Sequence, residues 1–519
     1  MASVPAALLE QGLAFHRQGN VGEAEKIYRE ILAAQPEHAD ALQLLAVIVQ
    51  NAGNPVEAEA LFRKSLRANA QQPAVWYNLG NLLFALHRHA EALDAFDRAI
   101  KLRPTYAAAF ANRSAALSAL GRHDEALASA DRAIAFDPNN LQAHSNRGAA
   151  LTSLKRPAEA LISLEKALTL GPDNFETLFN RGRAFLSMNR LHDALADFAR
   201  VLAVAPLHAR ANFNDGIARL LLGDLPAAWE KYEWRWQIEP LLGRRPPYEQ
   251  PPWKGEDLSG RSILIYAEQG MGDVIQFFRY LPLVAERAAR TFLIVQAPLK
   301  PLLAGLIPGA EVITRGDPIP TFDVQCAMLS LPYLFQTGLT DIPGRKPYIS
   351  VSADAQAHWR EKLGPKTKMR VGLVWAGNAD HPNDRYRSIS VKRLEPLLSR
   401  DIELVSLQKD LRTGDGAWLK KRGVRHFGND VTDFTDTAAL VDLMDVVISV
   451  DTSVAHLAGA MGKETWVLLP ALDVDWRWML DRADSPWYPT ARLFRQPTPD
   501  DWDSVIARIV SALPKRAAT

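Results

Sequence analysis

Small and apolar positions recur every 34 residues through the first 236 residues, all in one phase. Ala24, Ala58, Ala92, Ala126, Ala160, Ala194 and Ala228 form one register, and Gly12, Ala46, Gly80, Ser114, Gly148, Gly182 and Gly216 a second. Pro36, Pro104, Pro138, Pro172 and Pro206 form a third, with Ala70 in the remaining slot. Bulky side chains hold a further one, as at Tyr28, Phe62, Phe96, Leu164, Phe198 and Tyr232. Two antiparallel helices approach closely only where side chains are small, and proline ends a helix because it lacks an N–H and clashes with the preceding turn. One such helix pair cannot bury its own apolar face, so stacked copies are required. The pattern therefore predicts an α-solenoid over 1–236, with six full repeats over about 3–206 and a partial seventh.

After residue 260 the pattern changes to short apolar runs separated by glycine loops and helical stretches, the signature of parallel βα units. Strands are expected at Ser262–Tyr266, Thr291–Val295, Glu311–Thr314 and Phe322–Cys326, with a helix over Val274–Ala289. A second series starts at Met369 and continues with a helix near Val391–Ser399, a strand at Glu403–Leu407 and a helix over Asp436–Met444. Val446–Val450, a helix over Thr452–Met461 and a strand at Thr465–Leu469 complete it. These runs predict two Rossmann-like lobes over 261–355 and 366–498 with a cleft between them, the architecture called GT-B. A last helix over 499–513 is expected to pack back on the first lobe. Between the halves, 237–260 carries Pro240, Pro246, Pro247, Pro251 and Pro252, which rule out a continuous helix. Tryptophans and tyrosines around it suit a connector that packs the last repeat onto the next domain.

Composition narrows the class. Lys plus Arg total 60 against 59 Asp plus Glu among 519 residues, so bulk attraction to nucleic acid or anionic lipid has no support. Cys326 is the sole cysteine, which excludes an intramolecular disulfide and a cysteine metal cluster. The first residues lack a basic segment followed by a long apolar core, and no run approaches the ~18 apolar residues of a spanning helix. A cytoplasmic chain is expected.

Candidate chemistry falls at the carboxyl ends of the expected strands, where ligands of open parallel sheets bind. Gly270 and Gly272 let backbone approach a ligand, and Asp273 follows them at a helix start, a pattern that equally suits a structural cap. Asp451, Thr452 and Ser453 end a strand and open a helix, with His456 one turn along; free amides and hydroxyls there make an anion site fit for a diphosphate. Trp375, Gly377 and Asn378, followed by Arg385 and Arg387, form a second phosphate candidate. Gln408 and Lys409 directly follow a strand and are candidates to frame a nucleotide base or ribose. Asp473-Val-Asp475 has the Asp-x-Asp spelling of a metal site but follows the last strand, and is read as a loop coincidence. No metal spacing, Walker loop or Gly-x-Ser-x-Gly elbow is present, so no cofactor is expected. In the solenoid, Asn78, Asn112, Asn146, Asn180 and Asn214 also fall 34 apart. Such amides can hold an extended peptide by its backbone, or satisfy backbone groups between repeats.

The 34-residue registers resemble the tetratricopeptide repeat (TPR) family, and Asn-Leu-Gly and Asn-Arg-Gly at the ladder resemble the groove of O-GlcNAc transferase. Ile263-Leu-Ile-Tyr-Ala-Glu-Gln-Gly-Met-Gly-Asp273 resembles the opening strand and loop of the heptosyltransferases. That resemblance implies Asp273 as general base, Arg387 as the basic residue before the next helix, and Asp451–His456 as the closing signature of the donor site. Together the resemblances imply a metal-independent glycosyltransferase that moves a sugar from a nucleotide donor to a protein held in the repeats. The layout is similar to TPR-bearing flagellin glycosyltransferases of bacteria. The long insertion between lobes and several donor-site signatures of O-GlcNAc transferase are not evident, so its donor does not carry over. The alternatives are a glycan or lipopolysaccharide glycosyltransferase whose repeats recruit a partner, for which Arg279, Arg287 and Arg290 would supply a basic face, or a TPR scaffold with an inactive α/β module.

Overall fold

The computed structural model describes residues 4–238, 245–344, 346–381 and 383–514. They form two compact units, 1–206 and 207–519. The first unit is an all-helical solenoid whose helices run in pairs from Val4–Arg17 and Val21–Ala34 to Phe175–Ser187 and Leu191–Val204. Its glycine register has a steric cause. A Cβ on Gly80 would stand 2.5 Å from the Phe96 ring, and on Gly12 or Gly182 2.6 Å from Tyr28 or Phe198. Each glycine therefore admits the bulky residue sixteen positions later, and where Ser114 replaces glycine, the facing position is Ala130. Proline has a second role, opening Pro55–Ala68, Pro73–Ala85 and Pro157–Leu170 at the first helical position, where its missing N–H is not needed.

The second unit begins with the seventh helix pair, Ala209–Leu222 and the shortened Leu225–Tyr232, which ends in a 3-10 turn, Glu233–Gln237. Trp229 is buried and donates from Nε1 to Thr337 O at 2.8 Å, while its ring meets Trp476 at 5.5 Å and Trp487 at 6.4 Å. Arg235, 1% exposed, bonds Glu233, Glu268 and Ser330. The partial repeat is thus built into the α/β core, where aromatic area and a satisfied buried charge hold it. The described part of the connector, 245–260, lies along the first sheet: Trp253 N donates to Gln325 O and Gln325 N to Pro251 O, at 2.7 and 3.1 Å. Pro240 lies outside the described residues.

Two parallel sheets follow. The first contains β1 (Ser262–Tyr266), β2 (Arg290–Val295), β3 (Ala310–Thr314) and β4 (Val324–Ala327), in the order β3-β2-β1-β4. The second contains β5 (Met369–Val374), β6 (Ile402–Ser406), β7 (Arg425–His426), β8 (Val446–Val450), β9 (Glu464–Leu469) and β10 (Ala491–Arg495), in the order β10-β9-β8-β5-β6-β7. All their pairings are parallel, so the chain is α/β here. Strand order reverses between β1 and β4 and between β5 and β8, and at such switch points the loops diverge and leave a crevice at the carboxyl ends.

Several expectations need correction. The segment expected as one helix over Val274–Ala289 is Met271–Phe277, a 3-10 turn and Leu281–Ala285. Val391–Ser399 is a 3-10 run containing Pro396, which cannot donate an α-helical bond. The last helix, Trp502–Ala512, does not return to the first lobe: Trp502, Val505, Ile506 and Ile509 join the core of the second sheet with Val371 and Leu373. Helix Ala353–Leu363 also belongs to that side, since Trp359 Nε1 donates to Asp436 Oδ1 at 2.9 Å. Arg279 is buried, donates to Trp487 O and Tyr348 Oη at 2.9 Å each, and presents no basic face. No described helix is long and apolar enough to cross a membrane.

Candidate functional site

The loops after β1, β5, β6 and β8 open on one cleft of about 730 Å³. Gly270, Gly272, Asp273, Gly377, Asn378, Arg387, Gln408, Lys409, Asp451, Thr452, Ser453 and His456 all line it, so four separate motifs converge. Trp375 and Arg385 do not. Trp375 is buried, with Nε1 bonded to Asp415 at 2.9 Å, because it points into the second sheet's core. Arg385 is exposed and lies over the Tyr386 ring, whose hydroxyl it also bonds.

Gly270 is the N-cap of Met271–Phe277, and its N–H donates to Asp273 Oδ2 at 2.7 Å. Oδ1 of Asp273 pairs with Arg477 Nη2. Arg477 also donates from Nη1 to both oxygens of Asp475, at 3.0 and 3.1 Å, and from Nε to Gln276 Oε1 at 2.6 Å. Cap and candidate base are therefore the same carboxylate. Burial pushes the Asp273 carboxyl up, and the Arg477 guanidinium works against that shift. Asp475 is half-buried, and although desolvation works to raise it, the same guanidinium holds it below the usual carboxylate range. Asp475 nonetheless has a place in the cleft. It lines the cleft as the counter-charge of Arg477, a residue the sequence reading does not single out. The signal was the Asp-x-Asp spelling, but its partner Asp273 lies some 200 residues away in the chain.

Arg387, which lines the same cleft, is placed by backbone and by glycine. Its Nη1 donates to Asp451 O at 3.0 Å, and a Cβ on Gly377 would stand 2.6 Å from Nη2. Ser388 Oγ accepts from Gly377 N at 2.9 Å and donates to Asp384, which pairs with Arg412. The Arg387 Nε is buried with no hydrogen-bond partner among the described residues, and Asp384 Oδ1 stands 4.0 Å from it. Beyond it, Ser453–Ala460 opens at Thr452, whose hydroxyl meets Ser449 Oγ at 3.0 Å instead of capping the helix. The first-turn amides of Ser453 and Val454 therefore have no intrahelical acceptor, and both residues line the cleft.

His456 Nδ1 lies 2.9 Å from Tyr488 Oη, and its Nε2 3.8 Å from Asp451 Oδ1. Burial, aided by the charge of Arg477, lowers its pKa to about 3, so the imidazole is neutral at physiological pH. Asp451 moves the other way: burial and the nearby Asp475 push it up to about 6. Gln408 is a clasp instead of a ligand frame. Its Oε1 accepts from Trp375 N and Ala376 N, and its Nε2 donates to Ala376 O and Asp410 O. Lys409 is exposed at the rim. His381, Arg412, Phe434 and Thr437 also line the cleft and are not foreseen from sequence. Among the described residues, no three His, Cys, Asp or Glu side chains are placed to hold a metal ion.

The asparagine register divides. Asn146 is buried, donating to Ala111 O at 2.8 Å and accepting from Gln142 at 2.9 Å, so it ties adjacent repeats together and is not a presented ligand group. Asn112 donates to Tyr77 Oη and Asn81 Oδ1, and Asn180 to Ser145 Oγ at 3.3 Å, while both stay half-buried. Asn78 is half-buried in the first unit, and Asn214, also half-buried, belongs to the second.

Tetratricopeptide repeat models match residues 15–82, 73–106, 112–175 and 179–233, so the N-terminal helix pairs are tetratricopeptide repeats. Protein FlbA of Caulobacter vibrioides is 32% identical over 334 residues, 58% of this chain and 54% of FlbA. The chain thus spans about half the length of that curated relative. Among solved structures, the thermophilic TPR protein TTC0263 of Thermus thermophilus is 27% identical, covers 35% of this chain and 99% of its own, and gives a TM-score of 0.31. pilF of Pseudomonas aeruginosa is 21% identical, with 39% and 92% covered and a TM-score of 0.35.

Proposed function

We propose that this tetratricopeptide repeat protein is a glycosyltransferase, moving a sugar from a nucleotide donor to a protein chain recruited by its repeats. The α/β unit works as a metal-independent site of GT-B type. The observation that supports this most is the convergence, in one cleft, of a cation, open helix amides and a caged carboxylate. Arg387 and the amides of Ser453 and Val454 take the donor diphosphate, with Lys409 at the rim; hydrogen bonds to a leaving anion substitute for a metal. The acceptor hydroxyl attacks the anomeric carbon, the bond from that carbon to the diphosphate oxygen breaks, and Asp273 takes the hydroxyl proton. Arg477 opposes the burial-driven rise of the Asp273 carboxyl and fixes its direction. Neutral His456 lies against Gly272 and helps shape the donor wall.

Asp451 is the second candidate base, because its carboxyl is pushed up to about 6, close to a working pH. Turnover measured in Asp273→Asn and Asp451→Asn separates them. Asp273→Asn is expected to lose ~10²–10⁴ in rate with donor affinity little changed. Wild-type turnover in Asp273→Asn would remove it from the base role, and loss confined to Asp451→Asn would move that role there.

A further inference from the structure

A second cavity, about 350 Å³, lies among the 3-10 turn of the seventh pair, the connector and the carboxyl ends of β1 and β4. It shares no lining residue with the large cleft. Its volume falls within the ~300–1,000 Å³ of small-molecule sites. Aromatic rings of Trp236, Trp253, Tyr266 and Tyr333 supply its apolar walls. Trp236 is held by the guanidinium groups of Arg235 and Arg245, 4.7 and 5.0 Å from its ring centre. The Glu233 carboxylate also lines the cavity. Its Oε1 accepts from Arg235 and its Oε2 from Ser330, and each oxygen keeps a second lone pair. Gln325 adds an amide whose Nε2 already donates to Gln250 O at 2.8 Å, so it offers a ligand its oxygen, and Lys254 and Arg245 add cations at exposed positions.

The charges narrow the ligand. An anion would meet Glu233, and a cation would meet Lys254 and Arg245. A neutral molecule with apolar faces and several hydroxyls meets no like charge, can stack on the rings, and can bond Glu233, Gln325 and Lys254. Cys326 also lines the cavity, and burial holds its thiol protonated, so the site is built for binding and not for covalent attack. We infer that this pocket is a pyranose-binding site, separate from the cleft. It takes either a free monosaccharide or a sugar unit of a glycan. Its coupling to transfer, as a holder for an acceptor that already carries sugar, rests on the function proposed above; the binding itself does not.

Saturation-transfer NMR on the full chain tests it, with neutral hexoses and N-acetylhexosamines offered both free and as methyl glycosides. At least one is expected to bind, with no displacement by nucleoside diphosphates and no loss in Arg387→Ala. Tyr333→Ala or Lys254→Ala should weaken it roughly ten-fold, the worth of one good ring or hydrogen-bond contact. Preference for the glycoside assigns a glycan unit, and preference for the reducing sugar assigns a free monosaccharide. Absence of binding by any sugar, displacement by nucleotide, or undiminished binding in both pocket variants would overturn the inference.

Discussion

Arg387 owes its place to a residue with no side chain. Gly377 leaves the room that Nη2 occupies, so Gly377→Ala should displace the guanidinium and reproduce part of the Arg387→Ala defect in diphosphate binding, read by calorimetry. Asp451 and His456 respond to pH with opposite signs. Folded His456 stays neutral down to about 3, whereas the unfolded chain takes up its proton near 6.5, so this residue costs stability as pH falls through 6.5. Folded Asp451 keeps its proton up to about 6 and the unfolded chain loses it near 3.8, so its burial costs stability as pH rises through that window. His456→Gln should therefore flatten the acid side of the stability profile. Asp451→Asn should raise the melting temperature at pH 8 and have little effect at pH 4. A neutral Asp451→Asn at pH 8 would show that the carboxylate is not buried at a cost.

At the scale of elements, the solenoid is held by pairs of small and large positions sixteen apart. Gly80→Ala improves helix propensity by about 1 kcal/mol but drives a methyl into the Phe96 ring. Overpacking of this kind typically costs ~1–3 kcal/mol, so a net loss is expected by denaturant titration. Gly80→Ser with Phe96→Ala copies the natural Ser114 and Ala130 pair and should be less destabilised than the two single changes summed. Asn146→Ala should lower stability by ~1–2 kcal/mol, since a buried carbonyl loses its donor, whereas Asn78→Ala should act on partner binding. These registers were legible because one packing constraint repeats seven times. The strands β1, β2, β5, β8 and β9 were legible as apolar runs buried on both faces. Strand β10 and helix Asp415–Arg422 were not, because arginine or lysine interrupts them and burial is partial. Among site residues, local motifs exposed Asp273, Asp451 and His456. Arg477 stayed hidden because only the folded chain brings it to Asp273.

Across the whole molecule, the seventh repeat is a structural part of the α/β unit. Trp229 fills an aromatic cluster with Trp476 and Trp487, and Arg235 neutralises buried Glu268. A fragment starting at Leu207 should therefore fold and melt cooperatively. One starting at Arg245 should aggregate, since it exposes those rings and leaves a buried carboxylate unpaired. The large cleft decides the function, through what it holds. Calorimetric titration of the full chain with UDP-, ADP-, GDP- and CMP-sugars, beside Arg387→Ala, tests it most directly. One donor class should bind, and the variant should bind it ~10–100-fold more weakly, as expected for losing charge-assisted hydrogen bonds. Failure of every donor to bind at millimolar concentration, or equal binding by the variant, would contradict it.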